Sequence, residues 1–195
     1  PGAVGTIGTL TVNGNVVLSS GSTFMVDVGA SGNSDLLAVN GIANVGGRVV
    51  VGNVAGFQTA TPSNYRILTA TGGVTSQFSS ASNMSAILRS ELIYSANAVD
   101  LRVAAQSYQN VIDQNNPLQV SYAGLMDRNR GNAAVADLFS FLDFTDAATI
   151  QATFESWAPT TESTAQSLAR GFLGNLSGFY QSRTSLADRS TSGGT

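Results

Sequence analysis

Histidine, cysteine and lysine are all missing from this 195-residue chain, and its nine basic residues are all arginine. Without histidine or cysteine there is no Ser-His-Asp or Cys-His relay, no zinc site of the usual kind, no haem ligation by those residues and no disulfide. Without lysine there is neither a phosphate-binding loop of the Walker type nor a Schiff-base nucleophile. Carboxylates, hydroxyls and guanidinium groups are the remaining polar chemistry. Charge is scarce as well: 11% of residues are charged and the net charge is −3, which gives no footing for capture of nucleic acid or an anionic membrane. No apolar run approaches the roughly 18 residues of a membrane helix, and PGAVGTIG has neither the basic start nor the apolar core of a signal peptide. The start at Pro1 and the small polar tail RSTSGGT are read as those of a fragment from a longer polypeptide. A cysteine-free chain suits passage through an oxidising periplasm, though cytosolic proteins share the trait.

What the chain does have is apolar residues in short alternating runs. With 43% hydrophobic residues it can build one core and a smaller appendage. Residues 23–51, TFMVDVGASGNSDLLAVNGIANVGGRVVV, alternate at Phe24, Val26 and Val28 and again at Leu37 and Val39, with Gly41, Gly46 and Gly47 at turns. Strands are expected at 7–12, 16–19, 23–28, 36–39, 48–51, 65–70, 87–94 and 99–103, separated by glycine, asparagine and serine. A sandwich or antiparallel barrel and a right-handed parallel β-helix both fit this texture. Leu10-Thr-Val-Asn-Gly14 recurs 27 positions later as Leu37-Ala-Val-Asn-Gly41, which favours the β-helix. The pair Leu92 and Tyr94 faces Val99, Leu101 and Val103 across Ser95-Ala-Asn97, as in a hairpin that would cap an open last layer.

After Ala105 the run SYQNVIDQNNPLQVS reads as a polar linker, with Asn116-Pro117 favouring an extended or turn conformation. Helical periods follow. One apolar face holds Ala134, Leu138, Phe141 and Leu142, a second Ile150, Phe154 and Trp157, and a third Leu168, Phe172, Leu176 and Phe179, interrupted by Gly171, Gly174 and Gly178. Asp146 is placed as a helix N-cap, and Pro159 with Thr160-Thr-Glu-Ser marks a break.

Two stretches carry a family resemblance. Ser34-Asp35, Gly41, Gly46-Gly47, Tyr65, Ile67-Leu68, Ala70, Phe78, Tyr94 and Leu101 stand in the order found in the C-terminal passenger region, or autochaperone, of Gram-negative autotransporters (type V secretion). Asn132, Ala134, Val135, Ala136, Leu138, Glu162 and Ala165 resemble the helical stretch that links such a passenger to its membrane β-barrel. A departure is Gly73-Val-Thr-Ser-Gln-Phe78, which lacks the second glycine usual just before the phenylalanine.

The expected fold class is therefore a mainly β N-terminal part, the end of a right-handed parallel β-helix with a capping hairpin, followed by an α-helical C-terminal segment. Residues 1–106 would be the terminal coils and cap, 107–131 a linker, and 132–195 the helical segment before a barrel not contained in this sequence. The resemblance implies a non-enzymatic folding and secretion module at the outer membrane or cell surface, or secreted, with a part in adhesion or virulence. Its partners would be its own upstream passenger and the downstream barrel, with a homo-oligomer or another surface protein as further partners and no nucleic acid. Stable final coils would template the addition of preceding ones during export. The alternative is an adhesin or self-associating scaffold module, and a carbohydrate-active enzyme is a third reading, disfavoured by the few acids and aromatics in the β part.

No catalytic, cofactor-binding or metal-binding residue is assigned. Asp27 and Asp35 are weighed as a carboxylate pair of the glycosidase kind, against the commoner use of aspartate at corners. Gly32-Asn-Ser-Asp35 is weighed as a calcium loop and read as a turn, because the motif is single and its spacing is wrong. Asp127-Arg128-Asn-Arg130 is a docking patch or a solvated helix end, and Trp157 with Phe179 and Tyr180 a stacking site or core.

Overall fold

In the computed structural model, residues 1–54, 61–158 and 170–173 are described. Three elements run in succession through Thr9–Asn13 (β1), Val16–Val17 (β2) and Thr23–Val28 (β3). The chain turns through a 3-10 segment at Ala30–Gly32 and repeats the pattern as Leu36–Asn40 (β4), Ala43–Asn44 (β5) and Arg48–Asn53 (β6). A third pass gives Ser63–Ala70 (β7) and Ser80–Ala81 (β8), and Leu88–Ser95 (β9) and Ala98–Ala105 (β10) close the β part.

The passes lie one above another in parallel. β1 pairs with β4 from Thr9↔Leu36 to Asn13↔Asn40, so the repeated Val-Asn-Gly of the sequence is a ladder register. β3 pairs with β6 from Thr23↔Arg48 to Val28↔Asn53, and β2 with β5 through Val16↔Ala43. β4 pairs with β7, β6 with β8, and Val74 bridges Ala43. Two sheets are wholly parallel, of two strands and of three. The largest, in the order β1-β4-β7-β10-β9, is mixed, because β10 is antiparallel both to β7 and to β9.

Glycine permits the close stacking at the corners. A Cβ on Gly41 would lie 2.5 Å from the Gly14 carbonyl oxygen, closer than any side chain tolerates. Gly47, at φ 75°, would also collide with the Ser22 carbonyl. Between the passes, Val26, Val28, Leu37, Val39, Ala43, Val49, Tyr65, Ile67, Leu68, Val99 and Leu101 form one buried cluster.

The helices come next in the chain but not as a separate body. Pro117–Asn129 (α1), Ala136–Leu142 (α2) and Ala147–Ser156 (α3) follow a 3-10 turn at Tyr108–Asn110, and Pro1–Glu155 forms one compact unit. α1 lies in the stretch expected to be a linker. Asn116 is its cap, with Oδ1 accepting from the N–H groups of Leu118 (3.1 Å) and Gln119 (3.3 Å), and Pro117 fills the first helical position, where a missing N–H costs nothing. Asp146 caps α3, accepting from Thr149 N–H at 2.9 Å. In α2 the inward residues are Phe139 and Leu142, whereas Phe141 and Ala134, expected on the apolar face, are exposed.

The fold class expected from the sequence is thus corrected. The chain is mixed α/β, and among the described residues its short parallel ladders form no closed solenoid or β-helix. Two physical features overturn the expectation: the large sheet turns mixed where β10 enters it antiparallel, and the helices share one compact unit with the strands instead of trailing as a C-terminal segment. Ser156–Thr195 is a second unit, in which residues 170–173 are helical. Phe172 and Gly171 fall in that turn, and Pro159, Glu162, Ala165, Leu168, Gly174, Leu176, Gly178, Phe179 and Tyr180 lie outside the described residues. Among the described residues no helix is long and apolar enough to cross a membrane.

Candidate functional site

The two aspartates of the opening stretch meet at one corner and both serve the backbone. Asp35 is buried, and its carboxylate accepts from the N–H groups of Gly8 (2.7 Å), Gly2 (3.2 Å) and Asp27 (3.2 Å). Asp27 accepts from Gly5 N–H at 2.7 Å. Carboxylates so engaged hold a turn. The 32–35 loop is closed by Gly29 N–H donating to Asn33 (2.8 Å) and by a Val28↔Ser34 bridge, and Tyr65 Oη donates to the Gly29 carbonyl at 3.2 Å. Among the described residues no group of three or more acidic side chains is gathered as a metal would require.

The Asp127–Arg130 run is drawn inward. Asp127 accepts from Ser107 Oγ (2.5 Å) and Tyr108 N–H (3.0 Å), and Arg130 makes a bidentate pair with Asp143, at 2.7 and 3.0 Å. Asp143 is wholly buried and also accepts from Tyr108 Oη at 2.6 Å, while its backbone carbonyl takes the Ser85 hydroxyl. The guanidinium lies over the rings of Tyr108 and Phe139, at 5.1 and 5.0 Å from their centres. Burial first, and then the Asp143 carboxylate, push the Tyr108 hydroxyl well above the ordinary tyrosine range. Burial pulls the Arg130 guanidinium down, but Asp143 and Tyr108 together raise it above its usual value. Sequence reasoning missed this cluster, whose members come from four separate stretches. Ser85, Tyr108, Arg130 and Asp143 fasten α1, α2 and the loop before β9 to the end of β10, and a fully occupied pair of this kind is a fastening and not a reactive centre.

The open chemistry lies at the opposite end. β1, β2 and β3 are each the outermost strand of their sheet, at the same end of the stack. The N–H groups of Gly14, Val16 and Leu18 donate to Asn40, Ile42 and Asn44 in the second pass, at 3.2, 2.9 and 2.9 Å. Backbone groups alternate along an extended chain, so those of Thr9, Thr11, Asn13, Asn15 and Val17 face away from the second pass, with no strand beyond them among the described residues. Side chains tell the same story. Leu10 is 50% exposed and its ladder partner Leu37 only 4%. Val12, Val16 and Phe24 are half-buried, while Val39, Ala43 and Val49 beneath them are buried.

Edges of this kind are usually guarded by charge. The first charged side chain in the sequence is Asp27, so β1, β2 and all of β3 before it carry none. At the other end the outermost strand β9 carries Arg89 and Glu91, and Asn83 Oδ1 takes its Ser90 N–H at 3.0 Å. Among the described residues there is therefore one guarded, helix-fastened end and one without such a guard. No protein-family model matches the chain, and no curated protein matches its sequence closely enough to count as a relative.

Proposed function

We propose that this chain is a non-enzymatic folding and secretion module of a surface-exposed autotransporter passenger, acting as the template on which preceding strands add during export. The observation that carries the proposal is the asymmetry of the two ends: an edge of three outermost strands that carries no charged side chain before Asp27, opposite an end tied down by β9, β10 and the Arg130–Asp143 cluster. A strand added to β1 would complete backbone pairs and cover the exposed half of Leu10, worth about 1 kcal/mol for the side chain alone. Repeated additions would bias the polypeptide outward, because each buried layer resists return. The module would work at the outer membrane or cell surface, with its own passenger and the downstream barrel as partners.

The resemblance of residues 34–101 and 132–165 to passenger and linker sequences supports this reading, as does the template geometry. The test is surface display. Charged replacements at buried Leu37, Val39 or Leu101 should slow the appearance of the passenger outside the cell and leave barrel insertion intact; normal display of such variants would sink the proposal.

The same unguarded edge favours a second reading, a self-associating scaffold, through exposed Leu10, Val17 and Met25. Size-exclusion chromatography separates the two: a monomer fits the template, and a defined oligomer fits the scaffold.

A further inference from the structure

We infer that the corner Asn13-Gly14-Asn15 reads the segment that adds to β1, selecting an uncharged parallel strand that ends in an Asn-Gly turn and presents carbonyl oxygens there. This rests on the template reading and sharpens it by naming what the edge accepts.

The first support is the polarity of the corner amides. Asn40 Nδ2 donates to Asn13 Oδ1 at 2.7 Å, that is, toward the preceding pass. At the closed end Asn97 Nδ2 donates to the carbonyls of Ala70 (2.7 Å) and Thr71 (3.2 Å), again toward the preceding pass. Asn15 Oδ1 accepts from Ile42 N–H at 2.8 Å. With their oxygens engaged from the β4 side, the amides of Asn13 and Asn15 keep their two-donor nitrogens for other acceptors. No described residue takes them. An acceptor oxygen on an added layer would continue the column in the same sense.

The second support comes from the glycines stacked at this corner. A Cβ on Gly41 would meet the Gly14 carbonyl, and one on Gly72 would lie 2.9 Å from the carbonyl carbon of Gly41, so each is crowded by the pass before it. Neither has a positive φ; closeness alone requires them to be glycine. Gly14 adopts φ 134°, and nothing lies within 4 Å of the place a Cβ would take. Among the described residues nothing stands to Gly14 as Gly14 and Gly41 stand to the glycines below, which leaves room for a backbone carbonyl of an added Asn-Gly turn. Absence of charge through residue 26 excludes recognition by ion pairing, which leaves shape and amide hydrogen bonding to set the register.

The experiment uses the full chain and two synthetic peptides, LLAVNGIANV, which copies residues 36–45, and the corner variant LLAVAAIANV. Backbone amide exchange at Thr9, Thr11, Asn13 and Asn15 is followed by NMR, together with the side-chain amide resonances of Asn13. The Asn-Gly peptide should slow exchange at those positions and shift the Asn13 amide, and the variant peptide should bind about tenfold more weakly, the worth of one net hydrogen bond. Asn13→Asp, which keeps the shape and removes the donor, should narrow that difference. Equal protection by both peptides would overturn the corner inference and leave strand addition standing. Protection by neither, or only at β9, would overturn both. The peptide comparison needs no variant protein, so a misfolded Asn13→Asp would not rescue the idea.

Discussion

Asp143 shows how much a single residue can organise here. Its carboxylate satisfies Arg130 and Tyr108 while its carbonyl holds Ser85, and all three lie at different places in the sequence. Asp143→Asn leaves a buried guanidinium without its counter-charge, and should lower stability by about 3 kcal/mol in denaturant titration. Removing both charges, as Arg130→Met with Asp143→Leu, should cost less than the sum of the single changes; simple additivity would show that the pair is not coupled. Gly41→Ala should cost about 1–3 kcal/mol, because a methyl group meets the Gly14 carbonyl and the layers must separate. Gly131→Ala, in open space, is the control.

Titration makes two further residue-scale predictions of opposite sign. Asp146 is held below its ordinary value by the Thr149 N–H and hydroxyl, so its cap on α3 is fully present above the unfolded pKa and is lost as pH falls through the folded one. Loss of α3 helicity in acid should therefore shrink in Asp146→Ala. Tyr65, Tyr94 and Tyr108 are raised, each chiefly by burial. Their contribution is complete below about pH 10, where unfolded tyrosine still keeps its proton, and falls as the unfolded chain loses protons that the native state retains. Stability should decline above about pH 10, and Tyr108→Phe should flatten that decline.

Elements differ in how far the sequence reveals them. Period-two alternation placed β1, β3, β4, β6, β7, β9 and β10, because one face of each strand is apolar and, save in the outermost β1, at least partly buried. The repeat of Val-Asn-Gly disclosed the β1–β4 register, since stacked corners need the same small and amide residues. Alternation on either side of Ser95-Ala-Asn97 disclosed the antiparallel β9–β10 hairpin, but it cannot say how β10 meets β7, and so the mixed five-stranded sheet and the fold class escaped it. The two-residue strands β5 and β8 carry no period, and α1 was hidden because Gln119 supplies part of its buried face. That glutamine is buried by pairing: Nε2 donates to Glu155 at 2.7 Å and Oε1 accepts from Asp113 N–H at 2.8 Å. The Ser85–Tyr108–Arg130–Asp143 meeting depends on how separate elements pack, which no local pattern encodes. Hydrogen exchange should rank the strands by position. β10, paired on both sides, should be the most protected and β1, paired on one, the least; equal protection of the two would contradict the open-edge description.

At the scale of the whole molecule, the two ends of the strand stack differ among the described residues. The closed end joins β9, β10, α1 and α2 through buried aromatic and ionic contacts. At the open end three strands leave backbone groups and half-covered apolar side chains with no strand beyond them among the described residues and no charged side chain before Asp27, a condition that proteins ordinarily avoid. The aspartates Asp27 and Asp35, weighed as a carboxylate pair and read as corner residues, accept from the backbone at the turns leading into that edge, and the proposed activity lies in strand addition.

The most direct test places a charge on the edge without disturbing the core. Leu10→Lys, at a half-exposed position of β1, should fold with unchanged far-ultraviolet circular dichroism and nearly unchanged stability, yet slow the time course of passenger appearance at the cell surface severalfold in a pulse-labelled export assay. An export time course identical to that of the natural chain, in a variant shown to be folded, would contradict the account.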